Sequence, residues 1–240
     1  MNLIIDIGNT RVKMGVFDGA KMRKKLVWDD LNRKKLETLL QKHKINRVAV
    51  SSTAGLSSGV EQMLLKKYQL LYLNAKTSLP IKNLYKTPKT LGKDRLAGVV
   101  GASFLYPTKS CLVIDAGTCI TYDIITTEGD YLGGNIAPGI EMRFKAMHEF
   151  TAQLPLVKRR NYKALMGNTT ISALQTGGAL GAVMEMGGFI EAYRKKYAPL
   201  RVILTGGDAE FFANRLKTKI FVNQNLVLIG LNKILSHNAV

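Results

Sequence analysis

The chain has 240 residues with 35 Lys+Arg against 17 Asp+Glu, a formal charge of +18. Hydrophobic residues make up 46%, enough for a sizeable core, which excludes a disordered basic arm as the main body and allows one large domain or two smaller ones. Its two cysteines, Cys111 and Cys119, form neither a disulfide framework nor a metal knuckle, so a cytoplasmic location is expected. The apolar run at the N-terminus, Leu3-Ile4-Ile5, is interrupted by Asp6 and Gly8, which a secretory segment would not tolerate. That run predicts a strand, Val12-x-Met14-x-Val16 a second, and residues 21–28 a third after the Asp18-Gly19 turn, together an antiparallel meander. Helix (31–42), strand (47–51), helix (57–67) and strand (70–73) follow, and Leu96, Val99, Val100 and Phe104 define one face of a further helix.

The opening pattern then returns. Val113-Ile114-Asp115-Ala116-Gly117-Thr118 repeats the design of Ile4-Ile5-Asp6-Ile7-Gly8-Asn9-Thr10, again followed by an alternating strand (120–125), a Glu128-Gly129-Asp130 turn and another strand (131–135). Helices over 139–150 and 170–193 and a strand over 201–205 complete the second half. The duplication predicts an α/β protein of two similar halves, 1–107 and 108–240, facing a cleft. The segment 170–190 carries one charge, but its five glycines, Gln175 and Thr176 leave it short of a membrane span, so a buried helix and no membrane association are expected.

An acid at a strand end followed by a glycine turn places backbone N–H groups and a hydroxyl beside one carboxylate. Such a turn holds phosphate oxygens while the carboxylate organises Mg²⁺; a single copy is equally well an ordinary turn, and two copies favour nucleotide binding. Gly92-Lys93-Asp94-Arg95 opens a helix, where the macrodipole favours the Asp94 anion. Asp94 is either a helix-start residue beside a solvated Arg95, or a general base beside a clamp for a substrate carboxylate, and spacing does not choose.

Taken jointly, Asp6-x-Gly8-Asn9-Thr10, Gly92-Lys93-Asp94-Arg95, Asp115-x-Gly117-Thr118, Gly133-Gly134-x-x-x-Pro138-Gly139 and Gly167-x-x-Thr170-x-x-Ala173-x-Gln175-x-Gly177 resemble type III pantothenate kinase, in order and over essentially the whole chain. The resemblance implies the actin/hexokinase/Hsp70-like ATPase fold, with two duplicated ribonuclease-H-like halves built on mixed five-stranded sheets. It implies ATP-dependent phosphorylation of pantothenate to 4′-phosphopantothenate, the opening step of coenzyme A synthesis. Residue by residue, Asp6, Ile7, Gly8, Asn9, Thr10, Arg11, Val12 and Lys13 would form the first phosphate loop, with Asp6 near Mg²⁺, directly or through water. Thr118 would also contact ATP. Asp94 would take the proton from the pantothenate hydroxyl. Tyr85, Gly92, Lys93, Arg95 and Thr170 would line the pantothenate pocket, Asp115 would bind a monovalent cation, K⁺ or NH₄⁺, and Thr205-Gly206-Gly207-Asp208 resembles the adenosine-side motif. A homodimer is implied as well.

Two other readings compete: a kinase for another small hydroxyl compound, and a nucleic-acid-associated transcriptional accessory protein on the same fold. Against the latter stand the three aspartates and the absence of a helix-turn-helix signature, zinc module or interleaved basic and aromatic residues, so no specific nucleic acid is expected. The basic clusters, among them 21–25, 158–160 and 194–196, read as a dispersed solvated shell that steers anionic substrates.

Overall fold

The computed structural model describes residues 1–8, 10–52, 55–160 and 164–239. The chain divides into two compact units, one made of Met1–Thr108, Ile125–Gly133 and Asn225–Val240, the other of Lys109–Ile124 and Gly134–Gln224.

The first unit opens with β1 (Asn2–Ile7), β2 (Val12–Asp18) and β3 (Lys21–Trp28), the meander expected from alternation, its β2–β3 turn closed by Gly19 at φ 57°. α1 (Arg33–Lys42), β4 (Arg47–Ser52), α2 (Ser58–Lys67) and β5 (Gln69–Tyr72) follow, then β6 (Lys82–Asn83) and α3 (Lys93–Leu105). The sheet order is β3-β2-β1-β4-β5. β1 pairs antiparallel with β2 and parallel with β4, so the sheet is mixed. One face of the sheet, with Leu3, Ile5, Met14, Val48 and Val50, packs on Leu36, Leu39 and Leu40 of α1 and on Val60 and Leu64 of α2. Ile4, on the opposite face, is equally buried, which explains why β1 reads as an unbroken apolar run.

The second unit carries β7 (Ser110–Ala116), β8 (Cys119–Ile125), β9 (Asp130–Pro138), α4 (Ile140–Glu149), α5 (Thr170–Lys196), β10 (Leu200–Thr205), α6 (Ala209–Ala213) and β11 (Phe221–Val222). The first residues of β9 fall in the first unit, as does the last helix, α7 (Leu226–His237). The second sheet runs β11-β10-β7-β8-β9-β6. Counted in chain order from β1 and from β7, the first five strands of each sheet occupy the same places, 3-2-1-4-5, as a duplicated half requires. The expected five strands become six in this sheet because β6 adds in parallel at the start of β9, pairing Lys82 with Asp130 and Asn83 with Tyr131. No described helix is long and apolar enough to cross a membrane. α5 instead buries Leu174, Ala182, Val183, Met186 and Ile190 in a core shared with Phe144 of α4 and Phe212 of α6.

Within the first unit, α3 and α7 meet through glycines. A Cβ on Gly230 would land on the carbonyl of Ala97, and one on Gly101 on the carbonyl of Leu226, so the two backbones touch. Beneath α7, the buried Asn2 donates to Asn232 Oδ1 at 2.9 Å, and Asn232 donates to the carbonyl of Gly19 at 2.9 Å. Of the apolar face expected for α3, Leu96, Val99 and Val100 are buried, while Phe104 is exposed beneath the Lys233 ammonium, 5.1 Å from its ring centre.

Cys111 is wholly buried in β7, and burial pushes its thiol up to about 11, with nearby Arg201 acting the other way. The unfolded-state thiol ionises near 9, so this residue destabilises the fold only as pH rises from about 9 towards 11, and below that it stays protonated. At pH 8 a thiol reagent is expected to label the half-buried Cys119 first and to reach Cys111 only on unfolding. Peptide mapping of the native and denatured protein checks this, and equal labelling of both in the native state would contradict it.

Candidate active site

In the first unit, β1 ends at Asp6 and Ile7, and β2 returns antiparallel from Val12. The turn closes with the N–H of Gly8 donating to the carbonyl of Arg11 at 3.1 Å. Asp6 is buried, Ile7 and Lys13 are half-buried, Val12 is buried, and Gly8, Thr10 and Arg11 are exposed; Asn9 lies outside the described residues. Lys13 stands directly across the ladder from Asp6. Burial, then the like charge of Lys13, hold the Lys25 ammonium below its ordinary value.

On the other side of β1, Ile7 is in register with Ser52 of β4. The Lys93 ammonium, from the first turn of α3, donates to the carbonyl of Ser52 at 2.7 Å. Strand pairing and one long side chain thus bring the start of α3 to the strand end that carries Asp6. There Gly92 is the N-cap and Asp94 is the acidic residue of the first turn. Asp94 Oδ1 accepts the N–H of Arg95 at 2.8 Å, and the residue is exposed. The anion therefore answers the positive end of the helix and presents a carboxylate to solvent.

Gly92 makes that orientation possible. A Cβ there would lie 2.6 Å from Asp94 Oδ1. Relief requires only the carboxylate to swing, so Gly92→Ala is expected to leave the melting temperature nearly unchanged and, if Asp94 is the base that the sequence leads one to expect, to lower turnover about 10- to 100-fold. Steady-state kinetics beside a thermal melt checks this; unchanged turnover would show that the carboxylate direction does not matter.

Arg95 is buried, with its guanidinium 5.5 Å from the Tyr85 ring centre. Tyr85 in turn stacks on the wholly buried Tyr131, centroids 6.1 Å apart and planes 8° from parallel. Gly133, at φ 106°, lets the chain pass Tyr85 closely: a Cβ there would sit 3.1 Å from the ring. The short β6, which carries the chain towards Tyr85, builds this wall.

In the second unit, the turn after β7 repeats the first one, with the N–H of Gly117 donating to the carbonyl of Cys119 at 2.9 Å. Two glycines press other segments against it. A Cβ on Gly139, the N-cap of α4, would lie 2.6 Å from the Thr118 carbonyl, to which its N–H donates at 3.0 Å. A Cβ on Gly206, at φ 95°, would land on the Ala116 carbonyl and on Asp115 Oδ1, and the N–H of Asp208 donates to that same carbonyl at 2.9 Å. Asp115 is therefore gathered with residues 205–208, and Thr118 with the start of α4. Thr170 lies exposed in the first turn of α5, behind a capping box of Thr169 and Ser172; it belongs to the second unit, whereas Tyr85 and residues 92–95 belong to the first.

Arg159 departs from the solvated reading of residues 158–160. It pairs with Asp208 at 2.6 Å and stacks on Phe211 at 4.8 Å, while Arg215 covers the same ring at 3.9 Å. Arg159, Phe211 and Arg215, with Thr176, Ala179 and Glu210, line a cavity of about 690 Å³, within the usual range for a nucleoside-sized ligand. Thr176 Oγ1 is buried there with no hydrogen-bond partner among the described residues. The sequence held only a weak signal for this cavity, because Arg159 sits in a basic run that looks like surface.

The sequence signature of type III pantothenate kinase matches residues 2–192, which include both Asp-x-Gly turns, the start of α3 and the first turn of α5. The chain belongs to that family. A type III pantothenate kinase of Christiangramia forsetii is 46% identical over 242 residues, covering 99% of each chain. Among solved structures, a Campylobacter jejuni protein assigned to the Baf family of transcriptional activators superposes with a TM-score of 0.60 at 23% identity, over 98% of each chain. A glucokinase from an Antarctic psychrotroph gives 0.55 at 14% identity, over 99% of each chain. At those identities the structures bear on the fold alone, and the fold is that of the actin/hexokinase-like ATPases.

Proposed function

We propose that this chain transfers the terminal phosphoryl group of ATP to the primary hydroxyl of pantothenate, giving 4′-phosphopantothenate, the first step of coenzyme A biosynthesis. The observation that carries the reading is the start of α3, where an exposed Asp94 carboxylate is aimed by Gly92 and flanked by the Tyr85–Arg95 pair. Asp94 accepts the hydroxyl proton as the oxygen attacks the γ-phosphorus and the bond to the ADP oxygen breaks. Phosphoryl transfer needs mainly positioning and charge neutralisation, which a carboxylate acceptor, Lys13 and backbone N–H groups supply. Residues 6–13 and Thr118 hold the phosphates. Tyr85, Gly92, Lys93, Arg95 and Thr170 hold pantothenate, with Arg95 clamping its carboxylate. The adenosine end lies by residues 205–208 and in the cavity of Arg159 and Phe211.

Mg²⁺ fits Asp6. Its buried carboxylate stands at the end of β1, and Mg²⁺ there would take its remaining ligands from phosphates and water. When bound, it neutralises the triphosphate. A monovalent cation, K⁺ or NH₄⁺, would be held by the half-buried carboxylate of Asp115 at the end of β7.

On this reading the halves 1–107 and 108–240 are two copies of one ribonuclease-H-like unit, the second lending its last helix to the first. The protein acts in the cytoplasm as a homodimer with no specific nucleic-acid partner. Gly177, Gly181 and Gly188 of α5 face open space, beside Met184, 57% exposed. Each glycine costs a helix about 1 kcal/mol, which close contact with a second copy offsets. Sedimentation equilibrium is expected to give twice the chain mass at assay concentration, and a monomer there would remove the dimer. For the reaction itself, ATP, Mg²⁺, K⁺ and pantothenate are incubated with the protein and phosphopantothenate is sought by mass spectrometry. No product with any monovalent cation, together with salt-sensitive DNA binding at low micromolar protein, would overturn the proposal.

A further inference from the structure

A second cavity in the second unit, about 260 Å³, lies at the opposite end of the sheet from Asp115. It is lined by Lys109, Arg194, Arg201 and Lys219, with Pro199 and Phe221 among its apolar walls. Lys109 precedes β7, and Leu200 and Arg201 pair with Ser110 and Cys111 at the start of that strand, whereas Thr205 pairs with Asp115 at its end. At about 3.3 Å per residue the two ends are roughly 20 Å apart, so this cavity is separate from the phosphate turn.

Four cations line it and no carboxylate does. Arg194 is paired with the exposed Glu191 at 3.2 Å, and the end of α5 contributes about half a negative charge, so the surroundings remain strongly positive. Two of the cations are also held in place. Arg194 donates to Thr218 Oγ1 and, at 2.9 Å, to the carbonyl of Lys219. The Arg201 guanidinium sits over the Phe221 ring, 4.2 Å from its centre, and the Lys219 ammonium approaches the same ring at 5.8 Å. Like charges gathered around one hollow repel each other, and the arrangement is relieved by an anion of matching charge. Guanidinium groups in fixed orientation suit tetrahedral oxyanions, which they bind through paired N–H groups. The volume falls below the range of nucleotide-sized pockets.

We propose that this cavity is a binding site for a small phosphate-class dianion, either inorganic phosphate or the phosphate group of a monoester, distinct from the ATP and pantothenate sites. The site is charge-defined: Lys109 and Lys219 supply half of its charge from exposed side chains and anchor no core contact.

The test is calorimetric titration of the full-length protein with inorganic phosphate and, separately, with glycerol phosphate, at low ionic strength and saturated with Mg²⁺ and a non-hydrolysable ATP analogue. Wild type is expected to bind one dianion per chain. Lys109→Gln/Lys219→Gln is expected to weaken that binding about tenfold or more without lowering the melting temperature, whereas Lys34→Gln/Lys66→Gln, which removes two exposed lysines of α1 and α2, keeps it. Binding of phosphate alone identifies a free-anion site, and binding of both identifies a site open to esters. No saturable binding, or equal weakening by both double variants, would overturn the proposal by assigning the effect to the overall +18 charge. These results are independent of whether pantothenate is phosphorylated.

Discussion

Asp94→Asn is expected to lower kcat by roughly 10²- to 10⁴-fold while ATP binding stays near wild type. The replacement keeps the volume of the side chain and an oxygen able to accept the Arg95 N–H, so the start of α3 should survive intact. What it removes is the negative charge and the ability to take a proton. The Tyr85–Arg95 wall is untouched, so the pantothenate KM should change far less than kcat. Single-turnover kinetics with an independent measurement of ATP affinity separates these effects. Near-normal turnover would take Asp94 out of the base role and leave it as a helix-start residue.

Gly230→Ala is expected to destabilise the first unit by about 3 kcal/mol, lowering its melting temperature by roughly 10 °C. Two effects oppose each other here. Alanine is the better helix former by about 1 kcal/mol, which favours the substitution. Against that, its methyl would occupy the position of the Ala97 carbonyl, and backbone cannot swing away as a side-chain tip can. Collision wins, and α3 and α7 must separate. Gly187→Ala in α5 is the control, because the added methyl would meet only Leu216 at 3.8 Å, an ordinary contact, so there the helix preference decides and a gain of up to about 1 kcal/mol is expected. A thermal melt of both variants checks the pair. Melting within about 2 °C of wild type for Gly230→Ala would contradict the close helix packing.

How far the sequence could be read depended on what kind of order each segment carries. The meander was legible because β2 alternates and Asp18-Gly19 supplies a turn residue at positive φ. The duplicated Asp-x-Gly turns were legible because they are short, local and repeated, and the topology of both sheets repeats with them. α7 was passed over although its buried Val227, Leu231, Ile234 and Leu235 follow the helical spacing; it lies beyond the last motif, and its place in the first unit is a tertiary fact. β6 and β11 have two residues each, too few for any period, and exist only because a neighbouring strand offers them hydrogen bonds. At the site, residue types were legible and orientations were not. That Gly92 leaves room for the Asp94 carboxylate, that Lys93 reaches Ser52, and that Arg159 turns inward to Asp208 are tertiary facts without local spacing.

The membership of α7 in the first unit has a consequence for biosynthesis. Asn232 ties β1 and the Gly19 turn to α7, and α3 finds its partner helix there. On a ribosome β1 to α3 are therefore synthesised early, but their unit can close only after α7 has emerged. The second unit lies wholly before Asn225 and can complete its own sheet sooner. The N-terminal half waits for a helix that follows the whole second unit, and its folding must close that long connection. A stop codon just before residue 225 would thus abolish the unit bearing Asp94, although that residue lies far from the deleted end.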